Sequence, residues 1–269
     1  MSVATFIPEV WSARLQENLR KNLVFGSLCN RAWEGEISAY GDTVHINALT
    51  DITVKPYDPT QDLDAPEALT TTDRALVINH GAYCNFSLND VDAAQARADI
   101  MDAAMRSAAI RLAEDVEGYV IDTITAQATH KETVTPGEGD TFFDLLTQIK
   151  MRMDGWLAPR HGRALVMSSA KEAELFKDSR LTHAGSAVGD AALVEGVIAR
   201  ACGFDIYVSH DLDDHTLVAL TPDAVTLAQQ VVKLEAYRRE KGFDDCVKGL
   251  SVCGAKVVQP DCLGVFTVA

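Results

Sequence analysis

The chain has 269 residues, 47% hydrophobic and 23% charged, so it can bury a substantial core and is not disordered by composition. Its 24 lysines and arginines against 39 aspartates and glutamates leave a formal charge of -15. That excludes general affinity for nucleic acid through displaced phosphate counterions, though not a protein that surrounds DNA without gripping it. No apolar run approaches the ~20 residues that span a bilayer, so no membrane partner is expected. The opening has neither the basic nor the apolar region of a signal peptide, which predicts that the chain stays in the cytoplasm in which it is made. Six cysteines without a Cys-x-x-Cys pair read as free thiols there.

Residues 1–34 open with Phe6-Ile7-Pro8-Glu9-Val10-Trp11 and place Trp11, Leu15, Leu19 and Leu23 every four residues, a helical stripe. Pro8 suits a first helical turn. The piece is short and apolar on one face, so it must dock on another surface. Residues 35–86 then alternate. Gly41 to Ala48 reads as a strand after a turn, and Ala75 to His80 as its return partner. Between them Pro56, Pro59 and Pro66 forbid regular pairing, and Tyr57, Asp58, Asp62 and Asp64 mark an exposed tip. A two-stranded hairpin on a polar tip needs a partner surface for stability.

Residues 87–128 carry the longest predicted element. Ser87 with Asp90, or Asn89 with Asp92, offers a helix-starting capping box. Ala94, Ala98, Met101, Met105, Ala108, Leu112, Val116, Tyr119 and Ile124 then recur at helical spacing, predicting a girder about 55–60 Å long. Residues 133–232 read as a compact α/β region. Its helices are expected at Phe142–Met153, Lys171–Phe176 and Leu193–Ile198, and its strands at Ala164–Met167, Phe204–Ser209 and Thr216–Leu220. The tail, 233–269, alternates again and reads as strands closing a sheet.

Several stretches repeat a recognisable order: Phe6-Ile7-Pro8-Glu9-Val10-Trp11, Glu34-Gly35-Glu36-Ile37, Gly41-Asp42-Thr43-Val44, Phe86 to Asp92 before a long helix, Gly203 to Ser209, and Gly254 to Asp261. In that order the chain resembles, over nearly its whole length, the major capsid proteins of tailed bacteriophages with the Hong Kong 97-like (HK97-like) fold, particularly the podovirus coat protein group. The resemblance implies an α+β fold with an N-terminal arm at 1–34 and an extended hairpin loop at 35–86. It implies a peripheral domain with a spine helix from 87–132 and 233–269, and an α/β axial domain at 133–232. It further implies self-assembly into hexamers and pentamers of an icosahedral shell that encloses DNA without sequence-specific binding. The partners it implies are a portal protein, a decoration protein in some shells and, since the chain has no room for a long assembly segment, a separate scaffolding protein.

Sharper chemistry is weaker. His210 and His215 around Asp211, Asp213 and Asp214 fit no familiar metal motif and read as a solvated turn. Ser168-Ser169 lacks the flanking glycines of a nucleophile elbow and reads as a helix N-cap. Gly137-Glu138-Gly139 lacks the third glycine of a dinucleotide loop. No catalytic, cofactor-binding or metal-ligating residue is expected. The expected intersubunit contacts are Trp11, Arg14 and Leu15 in the arm, and Tyr57, Asp58, Asp62 and Asp64 at the hairpin tip. The alternatives are a bacterial nanocompartment shell of the same fold and, from a different class, a cytoplasmic α/β enzyme or binding protein carrying an unusual hairpin.

Overall fold

A computed structural model describes residues 24–34, 40–49, 53–54, 67–68, 71–89, 100–137, 139, 141–178, 180, 200–239 and 244–268. In chain order these hold α1 (Phe25–Leu28), β1 (Thr43–Leu49), β2 (Thr71–Val77), β3 (His80–Asn89), α2 (Ile100–Gln127) and β4 (His130–Val134). There follow α3 (Phe142–Gly155), β5 (Ala164–Met167), α4 (Ser169–Lys177), β6 (Arg200–Ala201), β7 (Phe204–Val208) and β8 (Thr216–Leu220). β9 (Val225–Arg238), β10 (Asp244–Val257), a 3-10 turn at Pro260–Cys262 and β11 (Leu263–Val268) complete the chain.

Three sheets result: the β1-β2 hairpin, a three-stranded antiparallel sheet β3-β10-β9, and a mixed six-stranded sheet β4-β11-β8-β5-β7-β6. The large sheet is a middle layer. Along each central strand, side chains alternate between two cores, as a pleat requires. Val166, Val218, Leu220, Leu263 and Val265 join the core built on α2. Leu165, Met167, Leu217, Ala219, Phe266 and Val268 join the core built on α3 and Leu175 of α4. Because both faces are covered, β5 is buried at every position and β8 at all but its first.

Helix α2 has 28 residues, about 42 Å at 1.5 Å per residue. It buries Met105, Ala109, Leu112, Val116, Val120 and Ile124 at helical spacing, which matches the stripe read from sequence at Met105, Leu112, Val116 and Ile124. The expected helix start at Ser87 with Asp90 does not hold, and the alternative at Asn89 with Asp92 runs into residues outside those described. Ser87 and Asn89 lie in β3, where Asn89 pairs with Asp244 and Ser87 with Cys246. Ten β10 partners and exposure alternating from Gly81 to Ser87 outweigh the local capping chemistry.

The hairpin forms in the register Thr43↔Val77 to Leu49↔Thr71. Its inward residues Val44, Ile46 and Leu76, with Ile78, pack on Ala228 of β9 and Val252 of β10. The base of the hairpin therefore finds its cover within its own chain. Three strands run through the expected domain cuts, β3 through 86/87, β4 through 132/133 and β9 through 232/233, and β11 from the tail sits in the large sheet beside β4 and β8. Ser168 caps α4, its hydroxyl accepting from the Lys171 N–H at 3.4 Å. The helix expected at 193–198 lies outside the described residues.

Candidate assembly interface

Where the arm enters the described structure, it is pinned. Phe25 is fully buried against α2, a burial that contributes about 1.5–3 kcal/mol. The Asn30 N–H donates to the Val225 carbonyl at 2.9 Å, and the Leu227 N–H donates to the Asn30 carbonyl at 3.0 Å, so the chain adds a parallel bridge beside β9. One step earlier, the Val24 N–H donates to Glu117 of α2 at 3.1 Å, and the Ser209 hydroxyl after β7 donates to the same carboxylate at 3.0 Å. Glu117 is 4% exposed. Burial pushes its carboxyl above the ordinary range, and the neighbouring Asp211 charge adds to this against the two hydrogen bonds. A cavity of about 220 Å³ beside it is lined by Val24, Ala113, Glu114, Ser209 and Asp211. Arm, spine helix and large sheet thus meet at one buried acid.

The hairpin base is clasped to the same helix. The Tyr119 hydroxyl donates to the Asn79 side-chain oxygen at 2.7 Å, and the Tyr40 hydroxyl to the Asn79 carbonyl at 2.9 Å. His80 stacks on Tyr119 with centroids 4.5 Å apart, and its Nε2 lies 2.6 Å from Asp115. Further out, Thr53 N–H reaches the Glu67 carboxylate at 3.2 Å and ties the two limbs together below the tip.

The outer face of the three-stranded sheet is exposed and partly apolar. Tyr83, 78% exposed, pairs across the ladder with exposed Leu250. Beside them the Tyr237 hydroxyl donates to Asn85 at 3.3 Å, and Lys248 pairs with Glu235 at 2.7 Å. Among the described residues β3 forms one edge of this sheet, and between it and α2 lies a groove of about 560 Å³ lined by Tyr83, Cys84, Phe86, Ser107, Arg111 and Leu112. A free strand edge beside exposed apolar side chains is a surface made for association.

Trp11, Arg14, Leu15, Tyr57, Asp58, Asp62 and Asp64 all lie outside the described residues. Sequence reasoning missed Glu117, Asn79, His80 and Asp115. Glu117 carried a signal, an acid set inside the apolar stripe between Val116 and Val120. The His210–His215 loop is a turn pinned by buried Leu212 with its other side chains exposed. Among the described residues, no three His, Cys, Asp or Glu are grouped to hold a metal, and no helix is long and apolar enough to cross a membrane.

A family model described as phage capsid protein matches residues 80–265. The chain belongs to the phage capsid protein family. The capsid protein superposes on a structure from Mycobacterium phage Che8 with a TM-score of 0.77 at 28% identity, covering 91% of this chain and 90% of that one. The capsid structure of cyanophage P-SCSP1u matches at TM-score 0.73 and 16% identity, over 92% and 88% of the two chains. A virus-like particle from Pyrococcus furiosus matches at TM-score 0.60 and 13% identity, over 96% and 98%, a likeness of fold alone. No protein of curated function matches the sequence. The capsid protein has the HK97-like fold, is a structural subunit of a shell, and belongs to the virion capsid. The nanocompartment and enzyme readings are not favoured.

Proposed function

We propose that this major capsid protein, made in the host bacterial cytoplasm, assembles as hexamers and pentamers with the help of a separate scaffolding protein, and that the finished shell carries a portal, takes DNA inside, and offers its outer surface to a decoration protein. The family match over residues 80–265 carries this reading. The net charge of -15 suits a wall that encloses DNA without holding it. No side chain is assigned a catalytic role, since shell formation is association and needs no bond-making step.

In the same reading, 1–34 is the arm and 35–86 the extended loop. The spine helix and the 233–269 strands form the peripheral domain, and 133–232 forms the axial domain. Trp11, Arg14 and Leu15 then contact a neighbouring subunit from the arm, and Tyr57, Asp58, Asp62 and Asp64 from the hairpin tip. The pinned entry of the arm at Val24 and the Thr53–Glu67 tie support this, because each fixes the described residues next to the arm and the tip. Each exposed ion pair contributes only ~0.2–1 kcal/mol, but symmetry repeats it across the shell.

Electron microscopy of the purified full chain, alone and co-expressed with the scaffolding protein, tests the assembly. Closed icosahedral particles are expected. A chain that stays monomeric by sedimentation in both settings overturns the proposal. Reversing Asp58, Asp62 and Asp64 to lysine is expected to block particle formation while the subunit stays folded; unchanged assembly removes the tip from the interface.

A further inference from the structure

Helix α3 ends in a turn whose geometry and residue choice disagree. The Leu157 N–H donates to the Asp154 carbonyl at 3.2 Å and the Ala158 N–H to the Met153 carbonyl at 3.1 Å, the paired bonds of a Schellman motif. Buried Met153 and Ala158 belong to the same core cluster, the usual companion of that motif. The residue between them must turn left-handed, a position normally given to glycine or asparagine. Here it is leucine, at φ +60°, and it is 89% exposed.

Leu157 therefore carries two unfavourable features with no compensation among the described residues. Its Cβ strains the left-handed backbone, and its isobutyl group stands in water. It is not the sole apolar group there, because Met151 on the outer face of α3 is 66% exposed, opposite the buried Leu145, Leu146, Ile149 and Met153. The surrounding charge is also unusual for this chain. Residues 150–163 hold Lys150, Arg152, Arg160 and Arg163 against Asp154, four positive charges less one negative, a local +3 on a chain of -15. Arg152 pairs with Glu132, Arg163 is buried against Asp154, and Arg160, 80% exposed at the rim, reaches the other Asp154 oxygen at 3.3 Å. With Glu132 counted, the patch is four positive charges less two negative, +2. A cationic projection with an apolar tip fits a surface that is acidic and apolar together, which a second copy of this -15 chain offers and DNA phosphates do not.

We propose that Leu157 is an intersubunit contact, the turn after α3 inserting this side chain into a second copy of the capsid protein. The inference rests on the shell reading above. Strain kept at one exposed residue is then explained by what that residue touches after assembly.

The test uses Leu157→Gly and Leu157→Met in the full chain. Wild-type particles seen in parallel keep the shell reading separate, since failure of wild type to assemble speaks only to that. Glycine relieves the backbone, so the unassembled subunit is expected to melt about 2–4 °C higher, while the concentration needed for assembly rises at least tenfold. Methionine keeps the apolar reach and is expected to assemble within about threefold of wild type. Leu157→Gly particles forming at the wild-type concentration overturn the proposal. So does a glycine variant whose subunit melts lower than wild type, because the leucine would then serve its own fold.

Discussion

Glu117 and Ser209 are 92 residues apart in sequence, yet the hydroxyl of one donates to the buried carboxylate of the other at 3.0 Å. The same carboxylate receives the Val24 N–H. Replacing Glu117 with alanine leaves both donors without their acceptor, at an expected cost of about 2–3 kcal/mol. Glu117→Gln retains an oxygen for Val24 and an amide that can bond the Ser209 oxygen, so its cost at neutral pH is expected to stay under about 1 kcal/mol. Urea denaturation of the unassembled subunit measures both.

The same pair predicts a pH dependence. Burial raises the Glu117 pKa in the folded state, so the folded subunit holds this proton more tightly than the unfolded one. The contribution is most favourable below the ordinary glutamate pKa of about 4.3 and is lost as pH rises through the raised folded value, staying constant above it. Wild type is therefore expected to lose stability relative to Glu117→Gln on going from mildly acidic to neutral pH. Parallel curves for the two proteins across that range would sink the assignment.

Gly254 of β10 lies where the hairpin base crosses the sheet. A Cβ there would collide with the Val77 carbonyl oxygen and come within 2.8 Å of Ile78 Cδ1 and 3.1 Å of Ile78 Cα. Backbone cannot swing aside as a long side chain can, so Gly254→Ala is expected to cost about 1–3 kcal/mol by overpacking. Hydrogen exchange should localise the loss, with faster exchange in β1 and β2 and unchanged protection in β5 and β8.

Tyr119→Phe removes one hydroxyl from the clasp at Asn79 and leaves the ring that stacks on His80. The expected cost is about 0.5–1.5 kcal/mol. Its signature is again faster exchange around Tyr40 to Leu49, without change in α3. An unaltered exchange map would show that the hairpin is held by its apolar base alone.

The thiols give a chemical test of the core. Burial pushes Cys29 and Cys253 up to about 12, so at pH 8 each is thiolate on the order of one part in ten thousand. Native alkylation at pH 8 is expected to leave both unmodified, and both should react after denaturation. Rapid native labelling of Cys253, followed by mass spectrometry, would contradict the packing of β10 against α2.

What was legible in the sequence was local. Alternation from Gly41 to Ala48 and at Ala75 announced the hairpin, and the four-residue rhythm from Met105 to Ile124 announced the spine helix. The strands passed over each lacked a local signal. Val225 to Gln229 of β9 is buried on consecutive positions, so it shows no alternation. β4 reads His-Lys-Glu-Thr-Val and is strand because β11 lies beside it, more than a hundred residues later. The end of β3 was mistaken for a helix start at Ser87, a good capping residue, while its partner β10 begins at Asp244. For the site, an acid inside an apolar stripe was visible at Glu117, but its partners Val24 and Ser209 were not, because only the fold brings them near.

The place of β11 has a consequence for the timing of synthesis. Among the described residues β4 is hydrogen-bonded to β11 and to no other strand, and β11 also forms one flank of β8. A nascent chain that has not yet emerged past Val268 leaves β4 without a neighbour and β8 open on one side. Such a chain cannot yet present finished surfaces to its siblings, and the open edges of β4 and β8 are where it is prone to pair wrongly until β11 is in place.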